Sequence, residues 1–201
     1  MFSAARTIIQ SQFPFLSPEE GDLLFANSET RKLRNREAII TAGQKRHEVF
    51  FILKGMVRGY FINQKGEEKN IFLRPEFTFT GPPDTLFSDR VTKYTFEAIQ
   101  ETEVLILNYP KFLDLAAQYS GINQVHILSL QENLQTLLFR VEGLVDQSPA
   151  ERYETLLERS PQFFQTAFHK HIANYLGITP VSLSRIIKRR GTKEAKRSAQ
   201  R

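Results

Sequence analysis

The residues best suited to recognise another molecule lie between Thr179 and Arg189, on one short predicted helix. Thr179 is a favourable N-cap, and Pro180 suits the first helical position because its missing N–H costs nothing there. The helix face away from the apolar residues is small, polar and basic: Ser182, Ser184, Arg185, Lys188 and Arg189. An arginine can donate two hydrogen bonds to the O6 and N7 atoms of guanine. The pattern therefore predicts a helix that enters the DNA major groove, where Val181 is restricted to apolar contact.

A shorter helix and a tight turn precede this face. The first helix is expected from about Lys170 to Leu176, and its inner side is apolar: Ile172, Ala173 and Leu176. Gly177 should end it in the left-handed conformation, with Ile178 between the two helices. The candidates for phosphate contact at its start are His169, Lys170 and His171. Together these features predict a DNA-binding helix-turn-helix; the alternative is an ordinary helical hairpin with a solvated basic face.

The charge distribution supports the DNA-binding interpretation. The chain has 201 residues and a net charge of +5. Residues 188–201 hold seven basic side chains and one acidic one, Glu194, whereas the other 187 residues hold 20 basic and 21 acidic. The positive balance therefore lies beside the predicted recognition helix, where Lys193 and Lys196 are expected to contact phosphates.

Several other chemistries are poorly supported. The chain has no cysteine, which excludes disulfides, a thiol nucleophile and a cysteine-ligated cluster. Its four histidines show no metal-ligand spacing, so no metal and no cofactor are expected. No apolar run approaches the roughly 18 residues of a membrane span, and the N-terminus lacks a signal pattern. A cytoplasmic protein without membrane contact is expected.

The order of elements predicts an α+β chain. Residues 1–27 show helical patterns, and Ser17-Pro18 favours a helix start. Residues 30–107 contain short β-prone runs separated by turn residues, which predict an N-terminal β jelly roll. Helical patterns return at 110–118, 121–146 and 150–158. The predicted domains are 1–120 for the effector domain, 121–147 for a dimerisation helix and 148–201 for the helix-turn-helix.

The long predicted helix carries a heptad-like apolar row. Six residues follow one another at steps of three and four: Ile127, Leu130, Leu134, Leu137, Val141 and Leu144. Such an a/d seam predicts pairing with a second copy of the chain. A second apolar line is expected to pack on the β domain: Leu128, Leu138 and Val145.

Four stretches resemble the Crp/Fnr family of bacterial transcription regulators, and within it the cysteine-free members found in Bacteroidetes. They are TAGQKRHEVFFILKGMVRGYF, FEAIQETEVLIL, AERYETLLERSP and HIANYLGITPVSLSRIIK. The resemblance implies a cyclic-nucleotide-binding-like jelly roll joined to a winged helix-turn-helix. It also implies a homodimer bound to double-stranded DNA, with RNA polymerase and a small-molecule effector of unknown identity as further candidate partners.

The effector site implied by the resemblance departs from the family pattern. Family members that bind cyclic nucleotides use a Gly-Glu pair and an Arg followed by a small residue. The corresponding positions here are Phe79-Thr80-Gly81, with no acid after the glycine, and Thr92-Lys93. The possible effector pocket comprises Phe79, Thr80, Gly81, Arg90, Thr92 and Lys93. We therefore expect an effector other than cyclic AMP, or none.

Three alternatives remain open at the sequence level. In a cyclic-nucleotide-responsive regulator with a non-standard phosphate site, Arg90 or Lys93 would reach the phosphate. An enzyme of the cupin type would need a His and Glu cluster inside the barrel, where only His47 is available. A protein-interaction module without DNA binding would not need the basic C-terminal segment. A non-enzymatic regulator agrees best with these residues.

Overall fold

The computed structural model describes the backbone of residues 2–198 and the side chains of residues 5–165 and 167–192. The helices are α1 Phe2–Gln12, α2 Pro18–Ala26, α3 Pro83–Ser88, α4 Tyr109–Gln118, α5 Ser120–Asp146, α6 Pro149–Arg159, α7 Gln162–Thr166, α8 His169–Tyr175 and α9 Pro180–Ser198. The strands are β1 Ser28–Leu33, β2 Ala38–Ile40, β3 Glu48–Lys54, β4 Val57–Ile62, β5 Glu68–Arg74, β6 Phe79–Thr80, β7 Thr95–Ala98 and β8 Thr102–Asn108.

The eight strands form two four-stranded antiparallel sheets. One sheet has the order β1-β8-β3-β6 and the other β2-β7-β4-β5. β4 and β5 form a hairpin, whereas the other neighbouring strands are distant in sequence, as is typical of a jelly roll. This arrangement confirms the predicted α+β fold with an N-terminal jelly roll.

The central strands of the first sheet, β3 and β8, are buried on both faces. The inner face of this sheet contributes Phe50 and Ile52 to a core shared with Phe72 and Phe96 of the opposite sheet. Its outer face packs against the helices through Val49, Phe51 and Leu105, among others. Because both faces of β3 are covered, its sequence EVFFIL is a continuous apolar run and does not alternate.

A buried carboxylate ties the start of α5 to α2. Glu20 accepts a hydrogen bond from the backbone N–H of Ser17 at 2.8 Å and another from that of Gly121 at 2.7 Å. The hydrogen bond from Ser17 is the main cause that lowers the pKa of Glu20 below its usual value, and the bond from Gly121 adds to it. Burial acts in the opposite direction and raises the pKa. A Cβ at position 121 would meet the carboxylate at 2.5 Å, so a larger residue there would require the Glu20 side chain to shift and would disturb this cap.

The chain divides into two compact units, residues 1–137 and 138–201. In the second unit α6 begins with a capping box, in which Ser148 and Glu151 each accept from the other's backbone N–H. Tyr153 and Leu156 of α6 are buried. No helix among residues 2–198 is long and apolar enough to cross a membrane.

Two sequence predictions need correction. Within residues 138–198 there is no strand, so the expected β-wing is missing from the described part of the second unit; the short helix α7 lies between α6 and α8. The line predicted to pack on the β domain is exposed instead, with Leu128 at 40%, Leu138 at 51% and Val145 at 82%. The buried positions near the start of α5 are Ile122 and Val125.

Candidate nucleic-acid interface and effector cavity

The helix-turn-helix is built around a left-handed glycine. Gly177 has φ +73° and donates its N–H to the carbonyl of Asn174 at 3.0 Å, while Ile178 donates to Ala173 at 2.9 Å. These two bonds satisfy carbonyl groups at the end of α8 and redirect the chain into α9. Ala173 and Leu183, both fully buried, lie on the inner sides of the two helices.

The start of α9 is capped as the sequence predicts. The Thr179 hydroxyl oxygen accepts from the backbone N–H of Ser182 at 3.1 Å and lies 2.9 Å from the Ser182 hydroxyl. Ser184 donates its hydroxyl proton back to the Pro180 carbonyl at 3.0 Å. The Ser184 donor is therefore occupied locally and the Thr179 and Ser182 hydroxyls share one bond, whereas the side chains of Arg185 and Val181 are exposed.

The outward face of α9 is a compact exposed patch. Val181 is 61% exposed, whereas Leu183 is fully buried on the inner side of the helix. The exposed residues at helical spacing are Val181, Ser184, Arg185, Lys188 and Arg189. Arg190 points elsewhere, because it pairs with Glu154 of α6 at 3.4 Å.

The three residues predicted to contact phosphate at the start of α8 differ in exposure. His169 and Lys170 are exposed, whereas His171 is buried. His171 is therefore not a phosphate contact, contrary to the sequence expectation. Lys193 and Lys196 lie outside the residues whose side chains the structure describes.

The predicted seam residues lie along α5, and most of them are between 39% and 58% exposed. Five of the six are exposed: Ile127, Leu130, Leu134, Val141 and Leu144. Leu137 differs, since it packs against the jelly-roll core that contains Phe72. A row of uncovered apolar side chains of this length is typical of an interaction surface.

An apolar cavity of about 240 Å³ lies between β6, α3 and α5 in the first unit. Three predicted pocket residues line it: Phe79, Thr80 and Gly81. Three residues of α5 that sequence reasoning missed also line it: His126, Ser129 and Asn133. These residues are spaced by three and four positions, so they share one face of α5 next to the apolar seam. That spacing was the feature of the sequence that could have identified them.

The other three predicted pocket residues do not line the cavity. Thr92 is buried, and its backbone bonds to Gln44 and Gly43 hold a turn in place. The side chains of Arg90 and Lys93 are exposed, while their backbone N–H groups donate to Asp84. The Lys93 ammonium lies 5.2 Å from the Tyr94 ring centroid.

Hydrogen bonds join α5 to the strand that borders the cavity. Asn133 donates its side-chain amide to the Phe79 carbonyl at 3.1 Å and to the Ser129 carbonyl at 2.7 Å. Its amide oxygen accepts from the buried Arg74 guanidinium. Burial raises the pKa of Glu132, and the charge of Arg74 partly opposes that shift.

His126 on the cavity wall is partly buried beside Tyr109. Burial lowers the pKa of His126 and raises that of its partner Tyr109. The Tyr109 hydroxyl lies 3.0 Å from the His126 Nε2 atom, where it can donate to the neutral ring. Among the described residues no group of three or more His, Asp and Glu side chains is arranged to hold a metal ion.

Comparisons with known proteins agree with this architecture. Residues 30–119 match the model of the cyclic nucleotide-binding domain. The chain is similar to the structure of FixK2 from Bradyrhizobium japonicum, with 18% identity and a TM-score of 0.71 over 83% of this chain and 86% of that one. It is similar to a CooA mutant from Carboxydothermus hydrogenoformans, with 16% identity and a TM-score of 0.72 over 92% and 84%.

A third similar structure is the c-di-GMP-responsive global regulator CLP of Xanthomonas campestris. The identity is 12% and the TM-score 0.68, over 89% of this chain and 93% of that one. No curated protein sequence matches the chain. At these identities the structural similarity establishes the fold.

Proposed function

The chain contains a cyclic nucleotide-binding domain in the fold of the Crp/Fnr regulators, and on this basis we propose that it is a dimeric, sequence-specific DNA-binding regulator of transcription. The observation that carries the proposal is the outward face of α9. There Val181, Arg185 and Lys188 are exposed at helical spacing, while the buried Leu183 holds the opposite side of the helix against its own unit.

The chemistry of this face matches the two kinds of DNA contact. The cationic residues supply attraction to phosphates, which gives affinity that falls with salt. Arg185 supplies a base-specific donor pair, and Val181 supplies an apolar contact suited to the methyl group of thymine. A two-fold dimer would place two such helices about 34 Å apart, one turn of the double helix.

Selection of bound duplexes from a random DNA pool tests this function directly. We expect enrichment of an inverted repeat whose half-sites are centred about 10 base pairs apart, because the dimer is two-fold symmetric. Binding to the selected site should weaken as salt rises, with a log–log slope of about −0.9 per phosphate contacted. Failure to enrich any sequence would contradict specific DNA binding and favour the protein-interaction alternative.

We propose that this regulator has an effector other than cyclic AMP, or none. None of the residues lining the cavity carries a charge, and an anion buried without a charge-assisted partner loses much of its binding energy. Arg90 and Lys93, which the alternative would use, have exposed side chains.

We expect no saturable heat when cyclic AMP or cyclic GMP is titrated into the chain at micromolar concentration. A saturable signal would contradict this expectation. In that case the Arg90→Ala and Lys93→Ala variants identify the phosphate site, since loss of the signal in either would support the non-standard site.

A further inference from the structure

The cavity beside α5 has the surface of a binding site for an apolar molecule. Aromatic rings form much of its wall, from Phe72, Phe79, Phe87 and Phe112. Its volume of about 240 Å³ lies just below the roughly 300–1,000 Å³ of pockets for drug-sized ligands. The occupant should therefore be small.

The polar groups on the wall are few and largely committed to protein partners. The Asn133 amide bonds to Phe79, Ser129 and Arg74, and the neutral His126 faces Tyr109. Ser129 donates its hydroxyl proton to the Val125 carbonyl at 2.7 Å. A hydroxyl oxygen that has donated its proton can still accept, and Thr80 adds a second hydroxyl to the wall. The wall can therefore satisfy a hydrogen-bond donor on a ligand.

We propose that this cavity binds an uncharged, mostly apolar small molecule that carries one hydrogen-bond donor, such as a phenolic hydroxyl. Three residues are shared between the cavity wall and the α5 seam: Leu130, Leu134 and Leu137. A molecule in the cavity therefore contacts the surface through which the second copy is proposed to bind. The assignment rests on the proposed function in one respect, which is that the molecule acts as the effector of the regulator.

Two probes with the same ring system and different charge test the ligand class. 1-Naphthol is neutral near neutral pH, as a phenol is, whereas 1-naphthoate is an anion. We expect saturable one-to-one binding of 1-naphthol to the full chain, measured by calorimetry. Binding of 1-naphthoate should be weaker by about tenfold or more, because its charge would be buried without a partner.

A cavity-filling variant locates the site. Ser129→Leu adds apolar volume to the wall and removes the acceptor oxygen, while the bond from Asn133 to the backbone carbonyl of residue 129 is kept. It should weaken 1-naphthol binding by about tenfold or more. Gln135→Leu makes a similar change at an exposed position of the same helix, and its affinity should equal that of the unmodified chain.

Three results would overturn the proposal: no saturable binding of 1-naphthol, equal affinity for 1-naphthoate, or equal loss in the two leucine variants. The comparison of the two probes uses the unmodified chain and so holds even if Ser129→Leu fails to fold. These titrations contain no DNA. If the chain binds 1-naphthol but selects no DNA, this inference stands and the proposed function is refuted. If it selects DNA but does not bind 1-naphthol, the proposed function stands and this inference is refuted.

Discussion

A chain carrying Leu134→Glu together with Val141→Glu is expected to be monomeric at concentrations where the unmodified chain is a dimer. These residues lie one heptad apart on the α5 seam and are 58% and 55% exposed. A charge buried without a partner costs about 3–5 kcal/mol, and each 1.4 kcal/mol changes a Kd about tenfold. Two such charges in each chain should therefore abolish pairing, which sedimentation velocity at micromolar concentration measures.

The choice of these two positions comes from the structure. Leu137 belongs to the same seam but packs against the jelly-roll core, so a charge there would destabilise the first unit as well as the interface. Leu134 and Val141 can be changed with less risk to the fold because much of each side chain is already in solvent.

The matched control is Leu128→Glu with Gln135→Glu, which adds two charges to exposed positions of α5 outside the seam. This control should sediment as the unmodified chain does. A dimer that persists in Leu134→Glu/Val141→Glu, or a control that dissociates to the same extent, would place the interface elsewhere.

The helix-turn-helix could be predicted closely because its determinants are local. The end of α8, the turn at Gly177 and the cap at Thr179 are each specified by residues within one helical turn of one another. The end of α9 was predicted less well: the helix continues to Ser198 instead of ending near Arg190. Gly191 lies within it, and an isolated glycine weakens a helix without necessarily ending it.

The cavity could not be predicted in the same way because its walls come from distant parts of the chain. The strand β6 has only two residues, too few for an alternating pattern. The helix α3 begins at the second of two consecutive prolines, a pair that is typical of a loop. The polar residues of α5 that face the cavity have partners up to 59 residues away in sequence, as in the bond between Asn133 and Arg74. No local sequence pattern predicts a contact between residues so far apart in the chain.

A buried ionic network on β4 was also beyond sequence reasoning. Arg58 is 5% exposed and bonds to Glu97 at 2.7 Å and to Glu68 at 2.7 Å. Its guanidinium lies 4.0 Å from the Tyr60 ring centroid. The alternation along β4 places Arg58 and Tyr60 on the same face, but only the register with β5 and β7 brings the two acids to them.

Replacement of Arg185 by alanine is expected to weaken binding to the selected DNA site by about 1–3 kcal/mol and to relax preference at one base pair in each half-site. Arg185 is exposed on α9, one residue after Ser184 and four after Val181. Leu183 is fully buried on the inner side of the helix, which leaves Arg185 on the outward face. Fluorescence anisotropy with the selected site, its single-base variants and a random duplex measures both effects.

Lys188→Ala is the matched comparison, because Lys188 is exposed one turn further along the same helix and its ammonium is suited to a phosphate. It should weaken binding to every duplex alike and reduce the slope of log affinity against log salt by about one unit. Equal loss on selected and random DNA in Arg185→Ala would make Arg185 a phosphate contact instead. Base preference would then have to come from Val181, which is 61% exposed. Replacing thymine by uracil at single positions would detect that contact because only the 5-methyl group is lost.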